Sequence, residues 1–245
     1  MFTNFSANLM RALGRYWGLF LQGAGYTLLL SFITVFFGAI LGSLLALMRR
    51  QRERLPYYKP KERTSDLFIT LGIRAVSGLA TGYVELLRGT PLLLQLYFFY
   101  FILPEALPAL NLSKFASVAI ALVINSAAYV CEIVRAGIQA VDRGQTEAAR
   151  TLGLSARQTM LRIVLPQAVK NILPALGNEF VTVIKETSLA STFFVGDLMT
   201  QYNVVKGSMF LVIEPLVIIG VVYFVMTFSL SKLVNSFERR LKASD

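Results

Sequence analysis

Long uncharged apolar stretches alternate with short basic ones along this chain. Tyr16–Met48, Phe115–Cys131 and Pro215–Ser231 contain no Asp, Glu, Lys or Arg. A helix needs about 20 mainly apolar residues to cross a bilayer, so the first stretch suffices alone and the other two reach that length with mildly polar flanks. The pattern predicts five spans, near 18–46, 84–103, 114–138, 171–195 and 208–232. Before the first, "NFSANLMRALGRYW" places Phe5, Leu9, Ala12, Leu13 and Tyr16 at helical spacing, which predicts a short separate helix on the membrane surface. The first apolar run is too long for a signal peptide, and no small-residue cleavage site follows it. Within it Gly38 and Gly42 form a G-x-x-x-G pair suited to close helix packing. Leu67–Leu103 is too long for one span, since its 37 residues would reach about 55 Å as a straight helix. An interfacial helix leading into the second span is expected there.

Composition agrees with that class. Of the 245 residues 55% are hydrophobic, and only 16% are charged where a soluble domain carries about a quarter. Mean hydropathy is +0.60. The expected fold is all-α: a polytopic helical membrane protein forming one transmembrane domain over 1–245, with its core at about 23–237.

A net charge of +10 raises the question of nucleic acid, but the distribution of bases excludes it. Seventeen of the 24 Lys and Arg fall in three gaps, 49–63, 135–170 and 232–242. Bases in short loops mark the cytoplasmic side. Both the hairpin after the third span and the C-terminus are therefore expected in the cytoplasm, and the N-terminus outside. Cys131 is the only cysteine and histidine is absent. Those two facts remove Ser-His and Cys-His nucleophile pairs, His relays and His-based metal centres. Neither a G-x-x-x-x-G-K-[ST] phosphate loop nor a G-x-S-x-G elbow occurs. The chain reads as a non-enzyme with no metal site and no cofactor of its own.

The basic segment at about 140–166 has its own punctuation. Glu147–Leu152 favours helix, and Gly153 supplies a left-handed residue to end it. Ser155 with Gln158 three positions on is a capping-box pattern, so a second helix starts there and Pro166 is expected to interrupt it. Ala148 and Ala149 give the first helix a low-relief surface that a partner can approach. The plain alternative is an ordinary loop.

Here the sequence resembles a family. Glu147-Ala148-Ala149, three residues, Gly153, nine residues, then Ile163, Leu165 and Pro166 resemble the EAA loop of permease subunits in binding-protein-dependent ABC importers. "YVELLRGTPLLLQLYFFYF", "AAYVCEIVRAGIQAVDRGQTEAA" and "LPALGNEFVTVIKETSLAS" resemble the polar amino acid permeases within that class. The resemblance covers about Gly23 to Phe237 and implies a set of partners. These are an ABC ATPase dimer that binds ATP and Mg and grips the EAA loop, a second permease subunit (identical or related), and an external solute-binding protein. It implies a polar amino acid (histidine, arginine, lysine, glutamine or glutamate type) as cargo, and the bacterial cytoplasmic membrane as location. The insert at 49–66 is longer than the family pattern and reads as a solvated, topology-setting loop, or as a contact to anionic lipid or the ATPase.

Ionisable residues inside spans usually face a bundle interior or a water-filled path. At 100° per residue Asn171, Asn178, Glu179, Thr182, Lys185 and Glu186 fall within about a 120° arc of the fourth span. Asn125, Tyr129, Glu132 and Gln139 lie within about 80° on the third. Carboxylates at Glu132, Glu179 and Glu186 suit an ammonium, and Asn125, Asn178 and Thr182 suit hydrogen bonds; Glu186, in "KETSL", is the preferred contact. The competing reading is glue between helices, including Lys185–Glu179 or Arg135–Glu132 pairs. Arg88, Gly89, Thr90 and Pro91 form a candidate hinge, because Pro91 leaves the Leu87 carbonyl without its helical donor. Glu85 and Arg88 are spaced to pair with each other or to meet substrate. Two other readings stay open: the same importer class carrying methionine, an opine or a sulfur compound, and an ion-coupled secondary transporter.

Overall fold

The computed structural model describes residues 4–54 and 64–242. Its first element, α1 (Phe5–Arg54), is a single 50-residue helix about 75 Å long. No proline occurs in that stretch, and Gly14 and Gly18 are too weak to stop a helix whose neighbours hold it. The separate surface helix expected at the N-terminus is thus corrected: it is the first part of α1. Ala12 and Phe20 are buried against α8 (Leu198–Met209) and α9 (Ile213–Lys242), with Leu9 and Tyr16 packed beside them. Asn8 donates to Glu214 Oε1 at 3.2 Å. At its other end α1 continues through Arg49 into the basic insert as far as Arg54. Residues 64–66 of the insert open the next helix, so the reading of the insert as a loop is corrected at both of its ends, where the neighbouring helices extend into it, and 55–63 lie outside the described residues.

After the insert, α2 (Thr64–Gly89) and α3 (Leu92–Ala106) meet at a bend of 111°. The expected second span at 84–103 is therefore broken in its first third. Pro91 is the N-cap of α3 with φ −62° and ψ 135°. A residue before proline is pushed away from helical angles, so Thr90 and Pro91 together end one helix and begin the next.

Helix α4 (Lys114–Gln139) matches its expected limits and lies at the centre, against α1, α2, α3 and α7 (Leu165–Glu186). The G-x-x-x-G pair decides how closely α1 can approach. A Cβ on Gly42 would stand 2.7 Å from the Ala127 carbonyl oxygen and from Val130 Cβ, and one on Gly38 would stand 3.1 Å from Ser126 Oγ.

The hairpin follows as α5 (Arg143–Thr151) and α6 (Ala156–Thr159). A π-helical turn, Met160–Val164, leads directly into α7 (Leu165–Glu186). Pro166 does not interrupt this run, contrary to expectation. It falls in the first turn of α7, where no backbone donor is required. The wide π turn, with Leu165 N–H donating to the Met160 carbonyl, removes the register in which the proline ring would clash. Regular helix ends at Glu186 rather than near 195, and 3-10 turns carry Thr187–Phe193.

A further helix, α8 (Leu198–Met209), was not foreseen; Asp197 caps it through Met199 N–H at 3.0 Å. Phe210, in the left-handed region at φ 54°, ends it. The last span accordingly begins at Ile213, not 208, and runs as α9 (Ile213–Lys242).

By length and apolarity α1, α4 and α9 can each cross a membrane, and the bent α2–α3 pair makes a fourth. The expected fourth span, α7, is not among them, because Lys170, Asn171, Asn178 and Glu179 interrupt its apolar run. It packs against α1, α4 and α9. Three apolar clusters hold the bundle. One joins the far half of α1 to α2, α4, α7 and the base of the hairpin through Val141 and Val164. A second packs Leu30, Leu96, Leu122 and Phe193, and the third joins α1, α8 and α9.

Candidate functional site: a polar seam along α4 and an exposed hairpin

Four residues predicted to share one face of α4 do line a seam. Asn125 is 4% exposed and donates to Gln95 Oε1 at 2.8 Å. One turn on, the Tyr129 ring lies under Arg88, whose guanidinium carbon is 5.7 Å from the ring centroid. Glu132 then collects three arginines from three helices. Arg49 of α1 binds Oε1, Arg135 of α4 binds Oε2 through Nε at 2.9 Å and through Nη2, and Arg88 of α2 approaches Oε1 to 3.8 Å. Arg135 also donates to Gln139 Oε1 at 2.9 Å, which closes the row.

The Arg135–Glu132 pair foreseen as glue is therefore present, but the Glu85–Arg88 pair is not. Among the described residues Arg88 turns across to Glu132 and leaves Glu85 exposed. The physical reason is burial: Glu132 is only 16% exposed and draws charge that an exposed carboxylate can leave to water.

At the break between α2 and α3 the sequence predicted an orphaned carbonyl, and the structure supplies its donor. Gln95 Nε2 donates to the Leu87 carbonyl at 2.8 Å, to Thr90 Oγ1 at 2.8 Å and to the Thr90 carbonyl at 3.1 Å. Thr90 Oγ1 in turn donates to the Leu86 carbonyl at 2.8 Å. Gln95 is 5% exposed and its Oε1 accepts from Asn125, so one amide ties the elbow to α4. Sequence reasoning passed over it. The available signal was a lone polar residue in an apolar run, one turn after the proline.

Helix α7 contributes less of its stripe than its projection implied. Glu179 Oε1 accepts from Ser126 Oγ at 3.0 Å, which brings it onto α4 rather than to Lys185. Thr182 and Glu186 are half-buried, whereas Asn171, Asn178 and Lys185 are exposed. Ser126 and Arg49 are further seam residues that the sequence reading did not single out. Ser126 lies just off the polar arc of α4, and Arg49 is masked by the run of bases it begins.

The hairpin forms as its punctuation requires. Gly153 has φ +87°; its N–H reaches the Arg150 carbonyl at 3.1 Å and the Leu154 N–H reaches the Ala149 carbonyl at 3.1 Å. Those two bonds make a Schellman cap. Ser155 and Gln158 form the reciprocal capping box, at 2.8 and 3.2 Å. Glu147, Ala148, Gly153, Leu165 and Pro166 are exposed and Ile163 is half-buried. Ala149 is 5% exposed, so it faces inward and is no part of an approach surface, correcting that expectation. Leu152, at 81% exposure, and Leu161, at 51%, instead stand out as apolar knobs.

The profile of the "binding-protein-dependent transport system inner membrane component" family matches residues 69–243. The chain belongs to that family. Members named for particular transport systems align over almost all of it. The Bacillus subtilis (strain 168) arginine transport system permease protein ArtQ is 37% identical over 92% of this chain and 93% of its own. The Escherichia coli (strain K12) glutamine transport system permease protein GlnP is 31% identical over 91% and 93%. Among solved structures, an amino acid ABC transporter with histidines is 40% identical, with a TM-score of 0.79 over 93% of this chain and 96% of that one. The MetNI methionine ABC transporter shares the fold alone, at 16% identity and a TM-score of 0.65. As an inner membrane component, this family member has in α1, α4 and α9 helices apolar enough for a multi-pass membrane protein.

Proposed function

We propose that this chain is the permease subunit of an ATP-driven importer of polar amino acids, working beside a second permease subunit. A separate ATPase dimer, which binds the ATP and Mg, docks on the α5–α6 hairpin from the cytoplasm, and an external solute-binding protein delivers substrate. The N-terminus lies outside and the C-terminus in the cytoplasm of a bacterial cell. The observation that carries this reading is the hairpin: capped at both ends, exposed at Glu147, Ala148 and Leu152, yet rooted through Val141 and Val164 in the same apolar cluster as α4 and α7. A push on such an element moves the helices that line the polar seam. Relatives named for arginine and glutamine support the cargo class. To the substrate's ammonium and its hydrogen-bonding groups we assign Glu179 and Glu186 of α7, with Thr182 and Asn178, and Glu186 is the preferred contact; the support is that Glu179 reaches Ser126 of α4 and that Thr182 and Glu186 are half-buried.

The test is ATP hydrolysis by the reconstituted permease–ATPase complex with its binding protein, screened over the amino acids. Stimulation by arginine, glutamine or their like, and not by methionine, is the expected result. Uptake by the purified permease alone, driven by an ion gradient without the ATPase, would refute it.

A further inference from the structure

The reading above finds groups for the ammonium of an amino acid and none for its carboxylate. We infer that Arg88, backed by the ring of Tyr129, receives that carboxylate; the inference rests on the polar amino acid reading.

Charge is out of balance in the seam. Three guanidiniums face the single carboxylate of Glu132. Arg49 and Arg135 already occupy its two oxygens. Arg88, 3.8 Å from Oε1, makes no hydrogen bond among the described residues, and its side chain is 45% exposed. Its five N–H donors are therefore unspent. An arginine kept only for structure would have them engaged, as Arg49 and Arg135 do. Arg88 is nevertheless held in place. It lies over Tyr129 and sits just before the elbow that Gln95 fixes to Asn125. A guanidinium stacked on an aromatic face keeps its fork of donors free for a bidentate carboxylate.

Depth sharpens the argument. Tyr129 and Glu132 lie ten and seven residues before the Gln139 end of α4, about 15 and 10 Å along the helix. An uncompensated positive charge that far from a helix end is costly unless it faces a water-filled path or meets an anion. On the same helix Ser126, which holds Glu179, precedes Tyr129 by three residues, a rise of about 4.5 Å. The residues of α4 that touch Glu179 and Arg88 are thus one turn apart, so an acceptor for ammonium and a donor for carboxylate meet neighbouring turns of the same helix.

The test is direct binding of radiolabelled L-arginine and L-glutamine to the permease–ATPase complex in lipid nanodiscs. No solute-binding protein is present, so the discrimination measured belongs to the permease. Unlabelled methyl esters and the decarboxylated amine agmatine serve as competitors. In the unaltered complex these should compete at least tenfold more weakly than the parent acids. Arg88→Gln should weaken binding of the acids by about tenfold to a hundredfold, the range of one charge-assisted contact, and leave esters and acids nearly equal. Arg88→Lys should fall between, keeping charge without the fork. Esters competing as well as acids in the unaltered complex would overturn the inference, even if the variants failed to accumulate. So would unchanged acid affinity in Arg88→Gln. If neither amino acid binds the unaltered complex, the cargo reading fails first and takes this inference with it.

Discussion

Replacing Gln95 by leucine keeps the volume of the side chain and deletes the amide that holds the elbow. Pro91 has no N–H to give, so the Leu87 carbonyl loses its donor. Leu87 is 7% exposed, and no water replaces that bond cheaply. Asn125, 4% exposed, loses the acceptor for its Nδ2. Each stranded buried group costs about 1–3 kcal/mol in a water-soluble protein. Bonds between helices in a membrane are weaker, averaging about 0.6 kcal/mol, because the unfolded chain in lipid finds other partners. The expected loss for Gln95→Leu is therefore about 1–4 kcal/mol, between those limits. Thermal unfolding of the purified protein measures it. A double-mutant cycle with Asn125→Leu should return a coupling of at least about 0.5 kcal/mol, since contacting pairs are not additive.

Pro91→Ala in the Gln95→Leu background sharpens the test. It restores a backbone donor that can reach Leu87 but no acceptor for Asn125, so stability should recover in part while the elbow straightens and transport falls. Additive costs in the cycle, or no recovery with alanine at 91, would show that the amide does not carry the elbow.

Two further substitutions probe other links. Gly42→Ala would place a methyl 2.7 Å from the Ala127 carbonyl oxygen, a backbone atom that cannot step aside. A loss of about 1–3 kcal/mol is expected in thermal unfolding, whereas Gly25→Ala, with nothing within 4 Å, should be neutral or mildly stabilising. Gly153→Ala puts a Cβ on a residue at φ +87°, costing about 1–2 kcal/mol at the hairpin turn. Co-purification with the ATPase should fall while membrane levels of the chain hold; retained co-purification and transport would count against hairpin docking.

Much of the architecture was legible because the lipid-facing helices and the hairpin obey local rules. Apolar run lengths set α4 within a residue, and the Gly153, Ser155 and Gln158 signals set both hairpin caps. Legibility failed where tertiary contact outweighed local pattern. Nothing local tells a reader that 5–17 joins α1, since that depends on α8 and α9 supplying a buried face for Ala12 and Phe20. Helix α8 was hidden because its cap, Asp197, follows a stretch of 3-10 turn that reads as the end of a span. In the seam, projection found the right face of α4 but could not choose partners. Glu132 had an arginine at helical spacing and acquired two more from α1 and α2, far away in sequence.

The two prolines show the same limit most sharply. In an unbroken α-helix Pro91 and Pro166 would each deprive a carbonyl of its donor, and the sequence reads them alike. At Pro91 the chain bends by 111°, and a side chain one turn later takes the orphaned carbonyl. At Pro166 the preceding turn widens instead, and helix continues without a break. The consequence is mechanical. On the proposed docking of an ATPase at the hairpin, force would pass into α7 through unbroken helix, while the α2–α3 elbow is held to α4 by the Gln95 amide together with Arg88 and Tyr83.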